Sequence, residues 1–419
     1  MWRESSPSMT RSLRQLPRQG GQVLVLLLVL GGAFQSFAQA SPEDETALRN
    51  RAFLLWEQNN YAEALPLLEK LALARPTDVV VLERLGGALA GSAREVADPE
   101  VRKRMVLRAR SILLRAKELG GASDYVDILL EQLPEDGGLH AFSTQKDVDE
   151  AMRQGEVAFG KSDYAAALAA YQRALQLDPN NYHAALFTGD VYFNMNRMDK
   201  AADWFARAIR IDPNRETAYR YWGDGLMRAG QMDDARAKFI DAVIAQPYLK
   251  ASWIGLQRWA RRNNATISHP KIEPPGSVSG EGEQINITID PSALDEKGGG
   301  SYWLIYPMTR ALWRGEQFKK EFPNEKAYRH TLREEVEALG TVASLVSDDA
   351  KKPRKRKKLD PALRTLLNLR DQGLLEAFVL LSRPDEGIAQ DYAVYRAAHR
   401  DKLVQYISEW LISTEAPKK

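Results

Sequence analysis

The chain has 419 residues, 44% of them hydrophobic and 27% charged, and its 58 lysines and arginines against 56 aspartates and glutamates leave a net charge of +2. That length and composition suit a soluble globular protein of two or three domains, and the near-neutral charge offers no broad field for nucleic acid or an anionic membrane. The absence of cysteine excludes disulfides, thiolate metal sites and a cysteine nucleophile.

Residues 1–40 place Arg3, Arg11, Arg14 and Arg18 before an apolar run from Val23 to Phe34, followed by Ala38-Gln39-Ala40. A basic start, a short apolar core and small residues at the end are the parts of a secretory signal peptide. Twelve apolar residues fall short of the roughly 18–20 needed to span a bilayer, so no transmembrane segment is expected after cleavage. The expected location is outside the cytoplasm, periplasmic or secreted. Cleavage would take away four arginines and Glu4 and shift the net charge from +2 to −1.

Residues 41–133 read as two helical pairs. Ala64, Leu68, Leu71 and Pro76 form one set; Leu82, Leu85 and Gly86, then Ala109, Leu113 and Ala116, form another. The second set has eleven residues more between glycine and alanine than the units that follow, and these are expected between its two helices.

Residues 143–249 repeat with a period of 34. Prolines stand at 179, 213 and 247; Gly155, Gly189 and Gly223 share the interval, as do Ala167, Ala201 and Ala235, then Tyr171, Phe205 and Phe239, then Ala174, Ala208 and Ala242. Alanine, an aromatic four residues on and alanine three further make one helix face. The glycine marks where a partner helix comes close, and the proline ends the unit. Each unit is then an antiparallel helical hairpin that must stack on its neighbours to bury its faces.

The pattern resembles the tetratricopeptide repeat. Gly189, Tyr192, Ala201, Phe205 and Pro213 carry it best; Tyr219, Trp222, Gly223, Ala235, Phe239 and Pro247 follow, while Ala151 and Gln154 stand where the first unit should have large apolar residues. The resemblance implies an all-α solenoid whose first helices line a concave groove that binds a protein or peptide. The residue after each glycine is Glu156, Asp190 or Asp224; four after it stand Phe159, Phe193 and Met227, and three before it Met152, Leu186 and Arg220. These columns are expected to set a strip of carboxylates beside an apolar strip, suited to a peptide with basic groups among apolar ones. The family's carboxylate clamp uses lysine and asparagine at such places, and acids there argue against it. An acid in this column is also simply a solvated helix residue.

Residues 250–262 are expected to form a solvating end helix, with Trp253, Leu256 and Trp259 on one side and Arg258 and Arg261 added to the groove. Residues 263–301 are rich in Pro, Gly and Ser around Ile285-Asn286-Ile287-Thr288-Ile289-Asp290, a linker with one short strand lacking an evident partner.

Residues 302–413 read as a separate helical domain of no recognised family, its helices broken by a basic loop, Lys351–Lys358, and resumed at Asp360-Pro361. The loop is expected to be solvated, with weak contact to an anionic lipid or polymer as its one use. No phosphate loop, nucleophile elbow or His-Glu-x-x-His occurs. His399-Arg400-Asp401 imitates a kinase loop without its companions and is expected inside a helix. His330 and Glu334, four apart, are expected to share a helix-surface hydrogen bond. No cofactor, metal, nucleic acid or catalysis is expected. The whole reads as a binding scaffold; an unrecognised polymer-binding or enzymatic role for residues 302–413 is the alternative.

Overall fold

The computed structural model describes residues 42–96, 98–138, 141–280, 284–291, 299–350 and 359–413. The basic run at 351–358 and the leader at 1–40 lie outside them. Contacts divide the chain into residues 1–47, of which only the start of α1 is described, and residues 48–419.

Twelve helices come first: α1 Pro42–Glu57, α2 Tyr61–Ala74, α3 Val79–Ala93, α4 Pro99–Glu118, α5 Asp124–Gln132, α6 Lys146–Gly160, α7 Tyr164–Leu177, α8 Tyr182–Asn194, α9 Met198–Ile211, α10 Glu216–Arg228, α11 Met232–Ala245 and α12 Lys250–Arg262. From α6 to α11 they form three hairpins in the 34-residue register. The helix starts are set locally, where Asp163 accepts from Ala166 N at 3.0 Å and Asn181 from Ala184 N at 2.9 Å, each meeting an amide that the helix cannot satisfy itself.

The hairpins close around the repeated glycines. A Cβ on Gly155 would sit 2.2 Å from the Tyr171 ring, on Gly189 2.6 Å from Phe205 and on Gly223 2.5 Å from Phe239. The aromatic of the second helix therefore lies flat against the backbone of the first, and its flanking alanines are buried too. A Cβ on Gly86 would likewise meet Leu113 at 2.5 Å, so α3 and α4 close on each other as these hairpins do. The connecting turns also keep the period. Ser162 (φ 58°), Asn196 (φ 58°) and Gly230 (φ 80°) all lie in the left-handed region, although only glycine enters it without steric cost.

The eleven additional residues of the second unit do not form a long loop. Asp98 caps α4 through Glu100 N at 2.8 Å with Pro99 at the first helical position, so the helix starts early and runs 20 residues against 14 in α7.

The end helix differs most from expectation. On α12, Ala251, Ser252, Gly255, Leu256, Trp259 and Ala260 are buried, and a single hydrophobic core runs from Phe239 and Val243 through Leu256 and Trp259 into Leu366, Phe378 and Tyr406. It is an internal helix, because residues 302–413 cover it. The last carbonyls of α11 are bonded across the same seam: Tyr392 donates to Ile244 O at 2.7 Å and Arg396 to Ala245 O at 2.5 Å, meeting acceptors that a helix C-terminus leaves open.

The presumed lone strand has a partner. β2, Gly276–Ser279, pairs antiparallel with β3, Asn286–Ile289, while β1, Thr266–Ile267, pairs with β4, Ile412–Ser413. The last described residues are thereby tied back to the end of α12.

A 3₁₀ turn at Gly300–Leu304 leads into α13, Ile305–Leu312; a π-turn at Trp313–Gln317 follows, then α14, Phe318–Glu321. Next come α15, Leu332–Ala350, α16, Pro361–Asp371, α17, Leu375–Ser382, α18, Glu386–Ala389, α19, Tyr392–Ala398, and α20, Arg400–Tyr406. His399, expected inside a helix, is the break between α19 and α20, with φ −135°, and Arg400 pairs with Asp241 at 2.7 Å. Among the described residues no helix is long and apolar enough to cross a membrane.

Candidate functional site

The first helices α6, α8 and α10 do line a common cavity, of about 690 Å³. Phe159, Leu186, Phe187 and Tyr221 give it apolar walls, and Glu156 and Asp190 face it from successive units. Its far side is built by residues that the repeat alone does not supply. Glu131 and Gln132 on α5, Phe142 from the loop before α6, and Leu249 and Ala251 at the start of α12 line the same space. α5 reaches α12 through Asp127, which is bonded to both Lys117 and Lys250, and through Lys250 N, which lies 3.4 Å from Glu131 Oε1. The concave face is thus bridged between the divergent units and the end helix.

The three carboxylates of the column after the glycines have different fates. Asp224 is answered inside the protein by Arg258 at 2.6 Å; burial still pushes its carboxyl up, and Arg258 pulls the other way. Among the described residues Glu156 receives only the Tyr171 hydroxyl, at 2.6 Å. Burial raises it, against the pull of that hydrogen bond and of Arg94. Asp190 has the Asn194 amide at 3.2 Å, and burial together with the neighbouring Glu156 charge pushes its carboxyl up to about 6. Among the described residues neither Glu156 nor Asp190 has an ion-pair partner.

Among the described residues the cations lining the cavity are engaged elsewhere, with one exception. Arg153 pairs with Asp149 at 2.8 Å and Arg215 with Asp212 at 2.9 Å, and Arg220 is bound to Glu216 at 2.7 Å. The exception is Arg94, at the end of α3, which lines the cavity from its rim. Two adjacent, partly buried carboxylates beside apolar walls favour a cationic side chain from outside, since a charge in such a place is costly until it is paired.

The remaining sequence candidates, Leu186 apart, fall outside this centre. Met152 is fully buried, in the core between α6, α7 and α8. Three residues before Gly155, it shares that glycine's face and packs into the hairpin, whereas the residue after the glycine is turned toward the groove. Leu186, in the same column, is 2% exposed but reaches the cavity wall. Arg220 lies against Glu216 and over the Tyr221 ring at 5.0 Å. Phe193 is covered by Arg228 at 4.2 Å, and Met227 packs on the core shared with residues 302–413. The bridging residues of α5 were not apparent from the sequence. Their one signal is the acidic face Asp124, Asp127 and Glu131, spaced three and four apart, which finds its lysine only in the folded chain.

The His330–Glu334 pair is not on a helix surface. α15 begins after Thr331, whose hydroxyl accepts from Glu334 N at 3.1 Å, so His330 precedes the helix and contacts Glu335 instead, at 3.1 Å. Among the described residues no group of three histidine or carboxylate side chains is arranged to hold a metal.

Residues 152–216 match the family model of the tetratricopeptide repeat. No curated protein matches the chain. Among solved structures the chain is similar to the Arabidopsis OM64 TPR domain, with 18% identity, 28% of this chain and 97% of that one covered, and a TM-score of 0.26. It is also similar to YrrB, described as a TPR protein with an unusual peptide-binding site, at 19% identity, coverage of 52% and 94%, and a TM-score of 0.24. A third is MamA from Desulfovibrio magneticus RS-1, at 16% identity, coverage of 49% and 97%, and a TM-score of 0.24.

Proposed function

We propose that the protein is a docking scaffold whose groove takes a peptide segment carrying arginine or lysine between apolar side chains. The observation that carries this is the pair Glu156 and Asp190, set side by side against Phe159 and Leu186 with no ion-pair partner among the described residues. The cation of the partner would bond both carboxylates, and its apolar neighbours would lie on the ring of Phe159 and on Leu186. The role is one of binding, with no chemistry on the partner. At the other end of the column Arg258 already serves Asp224, so the two open carboxylates fix where the cation sits.

A synthetic peptide array tests this directly. The wild-type protein should retain peptides enriched in arginine or lysine flanked by apolar residues. Glu156→Gln with Asp190→Asn should lose at least about tenfold in affinity for them, since hydrogen bonds to a charged group contribute roughly 1.5–3 kcal/mol. Retention without cation enrichment, or equal retention by the double variant, would remove the groove from the account.

The proposed place of action is outside the cytoplasm, on the strength of the arginines, apolar run and Ala38-Gln39-Ala40 of the N-terminal segment. N-terminal sequencing of the protein from its native cells should begin near Ser41; a start at Met1 contradicts export by this route.

A further inference from the structure

A second cavity, of about 670 Å³, is walled by Lys271, Arg310, Arg314, His330 and Arg383 together with two carboxylates, Glu273 and Asp385, of which Asp385 is bonded to His330 Nδ1 at 2.6 Å. Behind it, in the first turn of α15, Glu334 and Glu335 are both fully buried. Burying two carboxylates side by side costs several kcal/mol for each unless they are fully bonded, and here they are. Arg310 Nε donates to Glu334 at 3.0 Å and the Tyr328 hydroxyl at 2.8 Å. Around Glu335 stand the Tyr306 hydroxyl at 2.8 Å, His330 Nε2 at 3.1 Å and Arg383 Nε at 3.1 Å. Burial works against ionisation of Glu335, yet His330, Arg383 and Arg310 hold it below the usual carboxylate range.

This arrangement fixes the guanidinium groups of Arg310 and Arg383 by their Nε edge. Arg383 is held further by Nη1 on Ile272 O at 2.6 Å, and Arg314 by Nη1 on Gly280 O at 2.8 Å with its plane over the Tyr328 ring at 4.6 Å. Among the described residues, both Nη of Arg310 and the Nη2 of Arg314 and of Arg383 have no acceptor, and all three side chains face the cavity. Two arginines oriented by buried carboxylates and a third held by a backbone carbonyl and an aromatic ring, with free Nη donors lining one space, form a rigid receptor for an oxyanion.

We propose that this cavity binds a small-molecule phosphate monoester. A carboxylate has two oxygens and one charge and is met by a single arginine fork. The free Nη donors of three guanidiniums, with Lys271, instead match the three terminal oxygens of a phosphate group. The volume lies within the range of organic ligand sites and well beyond that of phosphate itself, and Pro270, Ile272 and Pro384 offer an apolar side for the rest of the molecule. The site is separate from the peptide groove and stands or falls independently of it.

Calorimetric titration of the full-length protein in phosphate-free buffer tests the proposal with glucose 6-phosphate, glucose, inorganic phosphate and citrate as probes. Glucose 6-phosphate is expected to bind, inorganic phosphate to bind more weakly and compete with it, and glucose not to bind. Arg314→Gln with Lys271→Gln should lower the affinity at least about tenfold while lowering the melting temperature less than Arg310→Gln does, because neither side chain touches Glu334 or Glu335. Arg310→Gln should abolish binding and also lower the melting temperature, since it leaves Glu334 without its cation. The proposal is overturned by any of three results: no binding of glucose 6-phosphate at millimolar concentration, binding unchanged in Arg314→Gln with Lys271→Gln, or citrate bound as tightly as glucose 6-phosphate.

Discussion

Replacing Asp190 by asparagine should stabilise the protein at neutral pH and leave it unchanged in acid. Its carboxyl is pushed up to about 6 from the ordinary 3.8, by burial first and by the Glu156 charge second. The folded state therefore holds the proton more tightly than the unfolded chain does. The favourable contribution of the protonated group is complete below about 3.8 and is lost as the pH rises through about 6; above that, ionised Asp190 opposes folding by up to about 3 kcal/mol. Asparagine keeps an acceptor for Asn194 and never ionises. Urea unfolding followed by tryptophan fluorescence, at about pH 4 and about pH 7.5, should show the variant gaining most of that amount at the higher pH alone. An equal difference at both pH values would refute the reasoning, because the effect would then be one of packing. Glu156→Gln should shrink the gain, since part of the penalty comes from the neighbouring charge.

Gly189→Ala should destabilise by about 1–3 kcal/mol, although alanine ordinarily improves a helix, because its Cβ would meet the buried Phe205 ring at 2.6 Å. Gly340→Ala on α15 is the control: nothing lies within 4 Å of that Cβ, and a gain of roughly 0.5–1 kcal/mol is expected; calorimetric melting of both variants checks the contrast. Ser162→Gly should raise stability by up to about 1 kcal/mol, measured by urea unfolding, since Ser162 holds φ 58° in a turn where Gly230 serves the same column.

What could be read from the sequence was what the chain writes more than once. The glycine and aromatic columns recur at the same interval, so each copy confirms the others, and the structure puts Gly155 on Tyr171, Gly189 on Phe205 and Gly223 on Phe239. The turn column of Ser162, Asn196 and Gly230 carries the same signal in residue type alone, since asparagine and glycine are those that tolerate the left-handed region. Contacts made once were not legible. The cover over α12 depends on Phe378 and Tyr406, more than a hundred residues away, and an amphipathic helix reads alike whether water or a second layer faces its polar side. The buried pair Glu334 and Glu335 has the local pattern of an exposed helix start; Arg310, Arg383 and Tyr306, brought in by other elements, join Tyr328 and His330 in making its burial tolerable. In the groove, Glu156 and Asp190 could be placed from the column, but that Arg258 satisfies Asp224 and leaves the other two open is a matter of where α12 docks.

The central claim is that an arginine or lysine of the partner is held by Glu156 and Asp190. Affinity for an array-selected arginine peptide, measured by fluorescence anisotropy across about pH 5 to pH 8, tests it most directly. Arginine stays charged throughout that range while Asp190 takes up a proton near 6, so binding should weaken as the pH falls through that value, and the dependence should be smaller in Asp190→Asn, where Glu156 alone still titrates. Affinity that is independent of pH in the wild-type protein, or that rises in acid, would contradict the account.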